Sequence, residues 1–154
     1  MTSSRRSVAI ALIALSPLAL AACEKPNPGV TVWSGTNSEH VPALCWEHDP
    51  ATAIGPATCA QDVLDAAGQG QGITAIRVRP GDTVGISVDT KVADAGWSVQ
   101  IGGQPLVTGL TETYYRFTFP QTVETGGAGY TMQITAAAKP TGNRGIWFFQ
   151  LVPR

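Results

Sequence analysis

From Val30 onward the chain alternates apolar and polar residues with a period of two, broken by Gly and Pro, and this pattern predicts short β-strands. The predicted strands are Val30 to Trp33, a weak one near Ala43 to Trp46, Ile73 to Arg79, Thr83 to Thr90, Trp97 to Ile101, Thr113 to Phe119, Tyr130 to Ala138 and Gly145 to Val152. Alternation is cleanest where Val84, Ile86 and Val88 interleave with Thr83, Ser87 and Asp89, and where Tyr115, Phe117 and Phe119 interleave with Tyr114, Arg116 and Thr118. Each such strand has one oily face and one polar face. Ile146-Trp147-Phe148-Phe149 is apolar on both, which predicts a central or doubly covered strand.

Turn chemistry falls between these runs, at Pro80-Gly81-Asp82, at Gly102-Gly103-Gln104-Pro105 and at Gly126-Gly127-Ala128-Gly129. One helix is predicted, over Ala60 to Ala67. Val63, Leu64 and Ala67 share a side, Asp62 and Asp65 lie near its start, and Gly68 stops it. Seven to eight strands and one short helix predict an all-β fold, an immunoglobulin-like antiparallel β-sandwich.

The amino end is different. Arg5 and Arg6 precede an uncharged run of 15 residues, Val8 to Ala22, broken by Ser16-Pro17. Crossing a bilayer takes about 20 apolar residues, so the run reads as the core of a cleaved signal peptide. The paired arginines suggest a twin-arginine signal, but the residues after them fit the general secretory route better. Leu20-Ala21-Ala22-Cys23 matches a bacterial lipobox, in which the Cys23 thiol is alkylated by a diacylglycerol (palmitate is a typical acyl chain) and the chain is then cut before it. The alternative is an ordinary signal peptide followed by an incidental cysteine. Acyl chains contribute roughly 0.8 kcal/mol per buried CH₂, so a lipidated Cys23 would anchor the protein without a membrane helix. The predicted organisation is a lipoprotein signal peptide at 1–22, a lipid anchor and tether at 23–29, and a β-sandwich domain at 30–154.

Removing residues 1–22 leaves 8 Lys and Arg against 11 Asp and Glu, a net charge of −3. That balance excludes a nucleic-acid partner, and the 44% hydrophobic content excludes a disordered chain. With Cys23 lipidated, Cys45 and Cys59 form an even pair in an exported domain, which reads as a disulfide. Closing about 15 residues contributes roughly 3 kcal/mol. Metal binding competes, because Glu39, His40, Cys45, Glu47, His48 and Asp49 lie within eleven positions; a redox dithiol is the third reading, though the spacing is not Cys-x-x-Cys.

Cys23-Glu24-Lys25-Pro26, the pair Cys45 and Cys59, Gly81-Asp82-Thr83-Val84-x-Ile86-x-Val88, Val92-Ala93-Asp94-x-Gly96-Trp97-Ser98 and Gly145-Ile146-Trp147-Phe148-Phe149 together cover nearly the whole mature chain. In these residues it resembles a family of small actinobacterial cell-surface lipoproteins catalogued as a domain of unknown function. The resemblance implies a lipid anchor at Cys23, a bridge between Cys45 and Cys59, and no established activity. His40 and His48 depart from that pattern, as does a lower lysine content.

No Gly-x-Ser-x-Gly elbow is present, and Gly68-Gln69-Gly70-Gln71-Gly72 follows a helix instead of opening one, so neither hydrolase nor nucleotide chemistry has a motif. No catalytic residue and no cofactor are expected. Arg77, Arg79 and Arg116 would share a polar face if their strands pair, a patch for anionic lipid or polymer; the alternative is that they meet cross-strand partners such as Asp82 or Glu112. Trp33 and Trp46 flank the bridged loop, as a stacking shelf for a ligand or as a cover for the disulfide. The expected function is a lipid-anchored module on the extracytoplasmic face of the cell membrane that binds or scaffolds an envelope protein or polymer. The alternative is a metal-binding or redox lipoprotein using His40 and His48.

Overall fold

A computed structural model describes residues 25–121, 127 and 129–154. Residues 1–24, which include the expected signal peptide and Cys23, and part of the turn at Gly126 to Gly129 lie outside the described residues. Among the described residues, ten strands and two helices run in the order β1 (Gly29–Ser34), β2 (Asn37–Pro42), β3 (Cys45–Trp46), α1 (Gln61–Gly68), β4 (Thr74–Val78), β5 (Thr83–Val88), α2 (Thr90–Ala95), β6 (Trp97–Ile101), β7 (Gln104–Leu110), β8 (Tyr114–Thr118), β9 (Tyr130–Ala137) and β10 (Asn143–Pro153).

They form two sheets, ordered β2-β1-β5-β8 and β3-β10-β9-β6-β7, with β4 lying parallel to the end of β10. The order β10-β9-β6-β7 is that of the G, F, C and C′ strands of an immunoglobulin domain, and β5 and β8 take the B and E places. β1 pairs antiparallel with β5 and β4 parallel with β10, so the first immunoglobulin strand is divided between the two sheets. The residues between its halves carry β2, β3, the Cys45–Cys59 disulfide and α1.

Side-chain alternation explains the layers. Val30 and Val32 from β1, and Val84, Ile86 and Val88 from β5, face Ile76, Val78, Trp97, Val99, Ile134, Trp147, Phe149 and Leu151 of the other sheet, all buried. The intervening β10 residues Ile146 and Phe148 point the other way, into a second cluster with Cys45, Cys59, Ala67, Leu64 and Ile73. The doubly apolar β10 is therefore covered twice, by the sandwich on one face and by α1 with the bridged loop on the other.

Two strands and a helix exceed the sequence expectation. β2 (NSEHVP) has no buried residue and holds its place by a complete backbone ladder to β1. β7 contains Pro105 and pairs only along one edge, with register shifts against β6. Gly102 and Gly103, both with positive φ, form the two-residue loop between β6 and β7, so that dipeptide opens a strand as well as closing one. Thr90–Ala95, expected as the end of a strand and a loop, closes into a single short helix whose Val92 and Ala93 are buried.

The folded domain also begins earlier than the expected tether allows. The Pro28 carbonyl accepts the Ala43 N–H (3.0 Å) and the Trp147 indole N–H (3.2 Å), and the Gly29 N–H donates to Asp89 Oδ2 (2.7 Å). Pro28 and Gly29 are buried, leaving Lys25 to Asn27 as the exposed described lead-in.

Candidate functional site

The two cysteines are joined, Cα to Cα at 5.6 Å, and both are buried beneath α1. Their alternation on β3 fixes the next residue. Cys45 faces the outer cluster, so Trp46 turns to the inner side, where its ring lies against Gly145, its cross-strand partner on β10. Any Cβ at Gly145 would collide with that ring. The Trp147 ring is 5.9 Å away, centroid to centroid.

Arg144 covers Trp46, with its guanidinium carbon 4.5 Å from the ring centroid. Its Nε and Nη2 donate to the Glu47 carbonyl (3.1 and 3.0 Å), and Nη2 also donates to the His48 carbonyl (2.9 Å). This clamp holds the start of the bridged loop against β10. Around it a cleft of about 350 Å³ opens, lined by Lys25 from the lead-in, Lys91 and Asp94 from α2, Lys139 from the β9–β10 connection and Arg144 just beyond it, at the start of β10. Lys139 is fixed there by its backbone N–H to the Pro50 carbonyl (2.9 Å).

Charge is segregated at this point. The cleft gathers four of the eight Lys and Arg of residues 23–154 together with one acid, Asp94, and His48 on the rim. The rest of that chain then carries four cations and ten acids, a net of −6. Among the described residues, the ammonium groups of Lys25, Lys91 and Lys139 make no hydrogen bond or ion pair.

Two carboxylates of the adjoining loop serve the loop itself. Glu47 is held below its ordinary pKa of 4.5, first by the Asp49 N–H and then by the Thr58 hydroxyl, which donates at 3.0 Å. Asp49 is held below 3.8, first by the Ala51 N–H (2.9 Å) and then by the Thr52 hydroxyl (3.0 Å); Arg144 adds attraction. Both folded values lie below the unfolded ones. The stabilisation they give is therefore complete above the unfolded values and is lost as pH falls through the folded ones. Hydrogen-exchange protection of residues 49–58, corrected for intrinsic rates, is expected to be lower at pH 3 than at pH 6. Glu47→Gln with Asp49→Asn should remove most of that difference; equal protection of the wild-type loop at both values would refute the assignment.

The sequence candidates are dispersed around this centre. Arg77 lies on β4, which runs beside β10, whereas Arg116 lies on β8, which pairs with β5 in the other sheet. Arg77, Arg79 and Arg116 thus do not form the expected shared face, because their strands do not pair. Asp82 Oδ2 accepts the Arg79 backbone N–H (3.0 Å), and Glu112 Oε2 accepts the Thr111 N–H (3.2 Å), so these acids close local turns. Trp33 is also parted from the bridged loop. It lies half-buried on the outer face of the β2-β1-β5-β8 sheet, over Gly85, in one row with Ser38 and Arg116. Trp46 alone of the two stands beside the disulfide, and it is buried.

His40 is on β2, its Nδ1 2.9 Å from the Thr31 hydroxyl, while His48 is on the cleft rim. The two histidines expected to share a metal loop therefore stand apart, and no group of three His, Cys, Asp or Glu gathers among the described residues. The cations of the cleft carry no joint sequence signal because Lys25, Lys91 and the Lys139–Arg144 pair belong to three separate segments. Only the fold makes them neighbours. No protein-family model matches the chain, and no curated protein matches it significantly.

Proposed function

We propose that the protein is a lipid-anchored binding module of the cell envelope, held on the extracytoplasmic face by Cys23 and making contact through the Lys25–Lys91–Lys139–Arg144 cleft. One observation carries the reading: Lys25, on the cleft, follows Cys23 of the lipobox by two positions. Anchor and contact surface then belong to one end of the domain. With Pro28 already part of the packed fold, little spacer separates the two. The resemblance to small surface lipoproteins points to the same address.

The anchor is tested in the whole protein by Cys23→Ser. Labelling with radioactive palmitate is expected in the wild type and absent in the variant, with the variant released from the membrane fraction or left unprocessed. Retention and labelling equal to wild type would reject the anchor.

A further inference from the structure

We infer that the basic cleft is a docking site for the phosphate of an anionic phospholipid headgroup, and that it fixes the domain's orientation on the membrane. The inference rests on the anchored reading above and adds a ligand class to it. Three features lead there, beginning with the donors. Arg144 uses Nε and Nη2 on backbone carbonyls, which pins a charged fork in place while Nη1 is not engaged by these bonds. Beside it stand three lysines without partners among the described residues, the compact point charges that suit phosphate oxygens. Asp94 is the acid lining the cleft, and the nearby Asp49 carboxylate is turned to Ala51 and Thr52.

Size comes next. About 350 Å³ is near the small end of ligand clefts, which run from about 300 to 1,000 Å³, and suits a glycerophosphate-sized group better than a length of polymer. Position decides the source. Two residues of extended chain span at most about 7 Å, so a lipidated Cys23 keeps Lys25 within a Debye length, about 8–10 Å, of the headgroups. A mature domain of charge −3 is repelled as a whole by an anionic surface, and the cleft is the face that surface attracts. Anchor and cleft together would leave one orientation favoured.

The test uses the mature chain 23–154 with Cys23→Ser, which retains every described element, in sedimentation with vesicles. Binding is expected to vesicles of phosphatidylcholine and phosphatidylglycerol in equal parts, absent with phosphatidylcholine alone, and lost in high salt. Each cation near an anionic surface contributes about 1 kcal/mol, or roughly 5-fold, so Lys91→Gln with Lys139→Gln should weaken binding about 25-fold. Arg77→Gln with Arg79→Gln makes the same change in net charge away from the cleft and should have little effect. Glycerol 1-phosphate, the soluble headgroup, should compete.

Equal effects of the two double variants, or equal binding to both vesicles, would overturn the proposal. Binding of soluble poly(glycerol phosphate) with no vesicle binding would overturn the lipid source. Failure here with palmitate labelling intact leaves the anchor standing and rejects only the cleft's role. Loss of labelling with vesicle binding intact does the reverse, leaving an anion-binding cleft on an unanchored domain.

Discussion

Trp147→Ala is expected to lower the free energy of unfolding by about 3–5 kcal/mol, the cost of removing a large core aromatic, from a total of about 5–15 kcal/mol. Trp147 is fully buried on β10 at the centre of the sandwich, packed with Trp46, and its indole N–H binds the Pro28 carbonyl. Truncation opens a cavity between the sheets and also frees the lead-in from the core. The surroundings cannot close the gap cheaply, since Val30, Val32 and Ile86 opposite are themselves fully buried and belong to another sheet. Urea unfolding followed by fluorescence of the remaining tryptophans measures it. A loss below about 1 kcal/mol would mean that the two sheets do not meet at this residue as described.

The second large effect is local. Replacing both Cys45 and Cys59 by alanine removes a cross-link over 14 positions, worth roughly 3 kcal/mol on chain-entropy grounds. What it releases is the outer layer. That layer has a small apolar cluster of its own, Ile146, Phe148, Ala67 and the cysteines themselves, with Leu64, Ile54 and Ile73 at its edge. α1 is eight residues long, too short to persist without packing. Native-state hydrogen exchange is therefore expected to show α1 amides losing at least about 30-fold in protection in the double variant, while β5 and β9 amides change less. A uniform loss across α1, β5 and β9 would show that the layer and the sandwich unfold as one unit.

Burial decided how much of the fold was legible in the sequence. Thr83 to Val88 and Trp97 to Ile101 each bury alternate side chains, so the period of two was written into their residue types. The double coverage of Ile146 to Phe149 could be read for the same reason, and α1 announced itself by Val63, Leu64 and Ala67 ahead of Gly68. β2 and β7 bury almost nothing. They are edge strands defined by backbone pairing, which does not depend on side-chain pattern, and Pro105 argues against the second outright. The cleft was hidden for a related reason: a single lysine in the lead-in, in α2 and in the β9–β10 connection carries no local signal, and only the pairing of β3 with β10 and the closing of α2 against β9 bring those segments together. The arginine face failed on topology, because adjacent strands β4 and β5 pass to opposite sheets at the Arg79-Pro80-Gly81-Asp82 turn.

The placement of β10 also orders events in time. It is the strand nearest the carboxyl end, yet β3 and β4, some 70 to 100 positions earlier, have their ladder partners on it. A chain emerging amino end first must hold those segments without partners until residues 143–153 arrive, and such distant pairings make folding slow, on the order of milliseconds to seconds. During that wait β1, β2, β5 and β8 can assemble among themselves, since their pairing needs nothing beyond Thr118. Losing the last dozen residues would then cost far more than one strand: the outer layer, the indole that grips Pro28 and the Arg144 side of the cleft all hang from it.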